Sequence, residues 1–483
     1  MNPQHRAIGK LLIRIPLSLE SPLIIGSGES EHSDVDVLRD PVSGSPLIPA
    51  TSMIGVFRAY LENGLREELA AGGSRRDNFI FLFGDRRAEI AQSALQCDDI
   101  LLAGARVVIR DGVAIDAQTN TAADQMKFNY QIVEPPGIFM LLLEMTLRPC
   151  FEVSILRRLL WTIFTAIARG EIRLGAKTNK GFGRLAVDLN AIQVAELDFT
   201  RRHHVWQWLS GEYEFAPAAP ADRQVYEISH REFVIDALFQ IKNSLLIKSY
   251  SPDPAAPDAV ALGRSSSNSG SSSGTNTETQ VPLPTASATA PVLPGTSVMG
   301  AVRHRAGKIL KTLGLPEPVL EAALAGLFGF VSERPATPSA RKGRVRAEET
   351  WLRNVRAEMQ TRIRLDRFTG GTWPGALFET MPLWPDGDGG AVRIVLSIRD
   401  CHAWEAGLFL YILKDLWTGD LPLGGEKSIG RGVLAGVSAK IVWDQHKVNL
   451  RADPAGGLVD DPAAWTLLEA VAEAVAVKAA LPF

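Results

Sequence analysis

The sequence predicts an α+β protein of two tandem ferredoxin-like domains, and three observations carry that reading. The first is a repeated motif. Pro49-Ala50-Thr51-Ser52-Met53-Ile54-Gly55-Val56-Phe57-Arg58 returns as Pro294-Gly295-Thr296-Ser297-Val298-Met299-Gly300-Ala301-Val302-Arg303, with five identities at one offset of 245, from 49 to 294. The second is that other landmarks recur in the same order. Leu82-Phe83-Gly84 pairs with Leu327-Phe328-Gly329, Ile115-Asp116 with Leu365-Asp366, and Gly181-Phe182-Gly183 with Gly430-Arg431-Gly432. The third is the run of elements in each half: strand, loop, helix, strands, helix, Gly-rich loop, strand. That order is β-α-β-β-α-β, with an antiparallel sheet and its helices on one face.

In the first half, Leu11, Ile13, Ile15, Leu17 and Leu19 alternate with mostly polar or turn-forming residues, which predicts a half-buried strand. Pro16 within it suits an edge or a bulge, because proline has no N–H to give to a ladder. A polar, acidic loop follows over 30–40, then a helix over 51–69 opened by the Thr51-Ser52 hydroxyl pair as an N-cap signature. A strand is expected over 98–109, a polar irregular stretch over 111–128, and a buried strand over 138–147. Helical spacing of Leu156, Leu159, Leu160, Ile163 and Ile167 predicts a helix over 154–169, leading into the loop Lys177-Thr178-Asn179-Lys180-Gly181-Phe182-Gly183-Arg184.

The first domain is expected over 1–215, a Pro/Ala-rich linker over 216–230 and the second domain over 231–483. A strand at 233–241 restarts the order. A Ser/Gly-rich insert near 263–290 reads as flexible or disordered, and the chain closes on an amphipathic helix over 465–480.

Composition narrows the function classes. The 483 residues are 46% hydrophobic and 22% charged with net charge −3, so any nucleic-acid binding must come from local basic surface. Cys97, Cys150 and Cys401 form no CxxC pair, which argues against a zinc site or a disulfide framework. No signal pattern and no run near ~20 apolar residues is present, so a cytoplasmic protein with no membrane partner is expected.

Three features bear chemistry. Both Gly-rich loops carry basic residues (Lys177, Lys180 and Arg184; Lys427 and Arg431) and let backbone approach a phosphate or another backbone. Neither matches a nucleotide-cofactor fingerprint. In the acidic loop, Asp34, Asp36 and Asp40 would share one face of a strand, for a hard divalent cation or acid–base work; the alternative is a solvated loop. His32 stands beside them as a lone histidine. The stretch 341–367 holds nine Lys/Arg against four acids, with Trp351, Phe368 and Trp373 nearby. It suits RNA phosphates and base stacking, or else a solvated helix face.

Taken together, Ile25-Gly26-Ser27-Gly28, Ser33-Asp34, Leu38-Arg39-Asp40, the two Pro-x-Thr-Ser-x-x-Gly-x-x-Arg turns, the Leu-Phe-Gly pair, Arg364-Leu365-Asp366-Arg367 with Thr369-Gly370-Gly371, and both Gly-rich loops resemble two fused copies of the RAMP-superfamily backbone subunit of type III CRISPR–Cas effector complexes. The double-domain subunits of the type III-D branch are the nearest pattern. The resemblance implies RRM-like ferredoxin cores that bind crRNA and complementary target RNA among other effector subunits.

Several residue roles follow from it. Thr51, Ser52, Arg58, Lys177, Lys180, Gly181, Gly183, Arg184, Thr296, Ser297, Arg303, Arg364, Lys427, Gly430 and Arg431 would contact RNA. Thumb hairpins around Ile115-Asp116 and Leu365-Asp366 would kink the guide–target duplex and flip a nucleotide. Asp34 would support Mg2+- or Mn2+-dependent cleavage of target RNA and possess the metal-ligating carboxylate, with Asp36, Asp253 and Asp258 as weaker candidates. Ile54 and Met299 stand where the family often has lysine. The second copy is expected to have lost the acidic loop to its insert, leaving one cleavage site, in the first copy. The competing readings are a scaffold that binds guide without cutting, a guide-processing nuclease using His32, and a duplicated binding protein without RNA.

Overall fold

The structure is a computed structural model that describes residues 6–28, 30–85, 92–116, 119, 122–228, 231–249, 257–265, 289–331, 340–387, 389–444, 446–452, 458–459, 469 and 473. It divides into two units. The first holds Met1–Ile109, Asn129–Thr178 and Phe182–His230; the second holds Arg110–Phe128, Asn179–Gly181 and Arg231–Phe483.

In the first unit, strand Gly9–Leu19 lies in the middle of an antiparallel sheet. It pairs Ile138–Leu147 on one side, and Gln193–Asp198 and Leu185–Val187 on the other, while Leu95–Cys97 flanks Ile138–Leu147. Leu11, Ile13, Ile15, Leu17 and Leu19 are all buried, as alternation requires, under helices Ala50–Gly64 and Val153–Ala168. Leu12 is buried too, on the opposite face, against Ala195 and Leu197 with Phe199, Tyr213 and Phe215 packed beside them. Each fully buried leucine or phenylalanine of this kind contributes about 1.5–3 kcal/mol.

Pro16 corrects the edge expectation. Its strand is central, and the proline sits in the gap where one partner strand ends at Arg14↔Gln193 and the next begins at Leu17↔Val187. A missing N–H costs nothing there.

The expected helix over 51–69 is two helices, Ala50–Gly64 and Arg66–Ala70, and a third, Ser74–Phe83, follows it. The polar stretch over 111–128 is not irregular: with its flanks it forms a β-hairpin, Val107–Ile115 with Ala122–Val133. Its charged and apolar residues alternate weakly, which hid the period-2 signal. The segment expected as a linker packs on the first unit: Ala216–Pro217 adds to the sheet edge, and Tyr226 is buried with Arg75 and Arg158 against its ring.

In the second unit, Glu232–Ile241 is the central strand, between Ala391–Arg399 and Leu434–Trp443. Helices Gly295–Thr312, Glu317–Phe328 and Ala403–Thr418 supply the buried faces, among them Val298, Val302, Ala306 and Leu310 at helical spacing. The order of main strands repeats that of the first unit: last, first, third, second. A second hairpin, Gln360–Leu365 with Thr372–Met381, answers the first. The basic stretch 341–367 is therefore strand and turn, not helix.

The Ser/Gly-rich insert does not replace the acidic loop. Residues 266–288 lie outside the described residues, but its flanks Gly263–Ser265 and Thr289–Leu293 pair, with Gly263 opposite Pro291. In the first unit Arg39 bridges Pro46 at the corresponding place. The insert thus expands the turn that Asp40 closes in the first copy, where it accepts the Ser43 N–H at 2.7 Å. Asp253 lies outside the described residues, as does the expected C-terminal helix except at Glu469 and Glu473.

Candidate nucleic-acid interface

The two repeated helix starts come first. The N-caps are Pro49 and Pro294, and neither helix has a side-chain cap hydrogen bond. Thr51, Ser52, Thr296 and Ser297 therefore sit inside the first turn, correcting the capping expectation. They place hydroxyls beside the unsatisfied N–H groups of a helix end, where partial positive charge collects. In the first copy one of those N–H groups is already used: Ala50 N–H donates to Asp99 Oδ1 at 2.7 Å.

The arginine that ends each motif has an internal duty. Arg58 Nη1 reaches the Phe83 carbonyl, and Arg303 Nη1 the Gly329 carbonyl, each at 3.5 Å. The Thr-Ser and Leu-Phe-Gly motifs recur together because they touch.

The Gly-rich loops are built alike. Leu174 N–H donates to Gly183 O and Leu423 N–H to Gly432 O, while Gly183 N–H reaches Pro22 O and Gly432 N–H reaches Ser244 O. A Cβ at Gly183 or Gly432 would overlap the carbonyl oxygen of Leu174 or Leu423, and both have φ near the left-handed region, 73° and 77°. At these glycines the structure shows backbone approaching backbone, one of the two roles expected of the loops. Gly181 is likewise packed, on the Glu349 N–H. Gly430 alone stands open, with Asn243 Nδ2 the nearest atom at 3.8 Å from an added Cβ.

Of the loops' basic residues, Arg184 pairs with Glu20 at 2.6 Å, and the Lys177 ammonium lies 3.2 Å from the Tyr130 ring centroid. Arg431 is 3% exposed and held by Glu426 at 2.8 Å and Gln360 at 2.6 Å, so it is internal rather than RNA-facing. Glu426 also takes Arg362 and Lys248, at 3.0 and 3.5 Å.

Lys180 and Lys427 are different. Partial desolvation first, then a neighbouring cation, lowers the pKa of each; the cation is Arg303 for Lys180 and Lys308 for Lys427. His304 is lowered in the same way, by desolvation, then Lys308, Lys427 and Arg305, and its buried Nε2 has no hydrogen-bond partner. Arg303, His304 and Lys308 stand on helix Gly295–Thr312 of the second unit, to which Lys180 and Lys427 also belong. Like charges gathered in this way are stabilised by a polyanion laid across them. Sequence reading missed His304 and Lys308, although their i,i+4 spacing was a signal.

The hairpin tips repeat a device. Asp116 Oδ1 accepts the Thr119 N–H at 2.8 Å, and Asp366 Oδ1 accepts those of Phe368 and Thr369 at 2.7 and 3.2 Å. Each aspartate folds its turn. The residue before it stands in solvent: Ile115 is 60% exposed and Leu365 56%. Phe368 is fully exposed, and Arg364 lies 5.1 Å over Trp373.

The acidic loop does not put its aspartates on one face. Asp36 turns inward and accepts Ser33 Oγ at 2.7 Å and the Glu31 and His32 N–H groups at 2.8 and 2.9 Å. Those bonds, Ser33 foremost, lower its pKa to about 2 and make it the loop's internal brace. Asp34 is exposed. Its Oδ2 accepts the Asn129 N–H at 2.7 Å, and its own N–H donates to Asn129 Oδ1 at 3.0 Å. Among the described residues no three or more His, Cys, Asp or Glu side chains gather as a metal site.

These features define a duplicated α+β fold with antiparallel sheets. The RAMP superfamily profile matches residues 17–186 and 270–435, more than half of the chain, and the chain belongs to that superfamily. Its members are generally CRISPR-associated, RNA-binding and at work in multi-subunit complexes. No curated protein matches the chain. No helix among the described residues is long and apolar enough to cross a membrane.

Proposed function

We propose that the chain is a double backbone subunit of a type III CRISPR effector complex, nearest the type III-D pattern, and that it binds crRNA and cleaves complementary target RNA from its first copy. Each copy is then a ferredoxin-like domain whose hairpin acts as a thumb. The observation that carries RNA binding is the set of cations on and beside helix Gly295–Thr312, Lys180 with Arg303 and Lys427 with His304 and Lys308, the two loop lysines being lowered in pKa by partial desolvation first and then by a neighbouring cation. The exposed Ile115 and Leu365, each on a turn folded by aspartate, suit apolar wedges entering a base stack.

Cleavage is assigned to Asp34. Its position is fixed by the two-way bond to Asn129, while its carboxylate stays at the surface. At a flipped nucleotide the 2′-oxygen attacks the adjacent phosphorus. The P–O2′ bond forms as P–O5′ breaks, Asp34 takes the 2′-hydroxyl proton, and the 5′-oxygen gains one from water. The products are a 2′,3′-cyclic phosphate and a 5′-hydroxyl. One carboxylate is an incomplete shell for a resident ion, so Mg2+ or Mn2+ would bind through Asp34 together with substrate phosphate oxygens. Such an ion supplies charge stabilisation at the phosphate.

The test uses the reconstituted complex, its guide and an end-labelled complementary target. Asp34→Asn should remove one Mg2+-dependent product with guide binding unchanged. An unaltered product pattern would remove Asp34 from the reaction, and intact target with normal guide binding would leave the chain a non-catalytic crRNA scaffold.

A further inference from the structure

The second copy was expected to lack the loop that carries Asp34, yet the pairing partners place an equivalent loop there. In the first unit Leu23 bridges Val133 and Gly26 bridges Val37; in the second Leu245 bridges Leu383 and Lys248 pairs Ala261. Ala176 N–H donates to Ile24 O in the first, and Gly425 N–H to Leu246 O in the second. Gln131 N–H donates to Val35 O in the first, and Val260 lies beside Met381 in a parallel pair in the second. The hairpin residues keep the offset of 250 that relates Ile115-Asp116 to Leu365-Asp366: 133 to 383, and 131 to 381. The same step takes Asn129 to Glu379.

The residue that meets Glu379 is Asp258. Its Oδ2 accepts the Glu379 N–H at 2.9 Å, as Asp34 Oδ2 accepts the Asn129 N–H at 2.7 Å. Val35↔Ala259 and Val37↔Ala261 share one shift of 224, from 35 to 259, and Asp34↔Asp258 falls on it. Both carboxylates are exposed at the foot of their own hairpin. What differs is the partner side chain. The Asn129 amide oxygen accepts the Asp34 N–H, whereas Glu379 brings a second carboxylate, which accepts the Thr361 hydroxyl at 3.4 Å.

We propose that Asp258 is the scission residue of the second copy, so that the chain cuts bound target RNA at two positions. The step is the same transesterification, with Asp258 taking the 2′-hydroxyl proton beside the second hairpin. The proposal rests on the assignment of Asp34 and extends it to a residue that no sequence motif marks.

The experiment compares wild type, Asp34→Asn, Asp258→Asn and the double variant in the assembled complex, with guide and end-labelled target in Mg2+. Asparagine retains an oxygen to accept the Glu379 N–H, so the loop keeps its brace while the charge is lost. Wild type should give two cuts. Each single variant should slow a different one by about a hundredfold or more, and the double variant both. If Asp34→Asn removes one product and Asp258→Asn removes none, the second site is wrong and the first stands. If Asp258→Asn removes a product and Asp34→Asn none, Asp258 stands and the first assignment falls. Loss of neither product overturns both. Measured guide binding for every variant separates lost chemistry from lost assembly.

Discussion

The two Gly-rich loops share a backbone and exchange their charges. Lys177 and Glu426 occupy the same place, each at a positive φ, 54° and 57°. Five residues on, Phe182 is fully buried in the first copy and Arg431 is 3% exposed in the second. A buried phenylalanine needs no counter-ion, and the lysine above it lies over the Tyr130 ring. A buried arginine needs an anion, and Glu426 supplies it. Desolvation of the arginine couples the two positions. A basic residue beside a Gly-rich loop is thus no sign by itself of RNA contact; what surrounds it decides.

The largest expected effect tests that exchange. Glu426→Ala strands Arg431 without its counter-ion and should destabilise the second unit by about 3 kcal/mol or more, read by urea denaturation of the full chain. Arg431→Phe combined with Glu426→Lys rebuilds the first copy's combination and should recover most of that loss. A double variant no more stable than Arg431→Phe alone would mean the two positions are not coupled.

Glycine substitutions sharpen the shared part. Gly183→Ala and Gly432→Ala should each cost about 2–3 kcal/mol, since both combine a positive φ with overlap on a carbonyl oxygen. Gly430→Ala should cost only about 1 kcal/mol, because its surroundings are open. Unequal losses at 183 and 432, by thermal or chemical melting, would contradict a common loop design.

The smallest effect concerns RNA affinity. At the positions of His304 and Lys308 the first copy has Ala59 and Asn63, by the offset that relates the two helices. Lys308→Ala and Lys427→Ala should each reduce the slope of log affinity against log salt by about 0.7, the value of one released counter-ion on a single strand. Lys177→Ala, with its charge placed over Tyr130, should change the slope less. Equal slopes for all three would put the RNA elsewhere.

The duplication, the alternating central strands and the helices were legible because each is a local pattern: Leu11 to Leu19 alternate, and Leu156 to Ile167 fall at helical spacing. The hairpin over 107–133 was not, since its outer part, with Val113, Ile115, Met126 and Phe128 exposed, has no buried apolar face to write a period. Asp34 could be picked out by its motif, but Asp36 looked alike until its hydrogen bonds showed it to be a brace. Asp258 carries no motif. An insert and a changed spacing hide it, and only the pairing of its loop with Glu379 brings it to the place of Asp34. By itself the sequence determined that there are two copies and what elements each contains, because periodicity and repetition are properties of the chain. Which charged groups face outward, and which carboxylates match across the copies, was decided by tertiary structure, because burial and register depend on residues far apart in the chain.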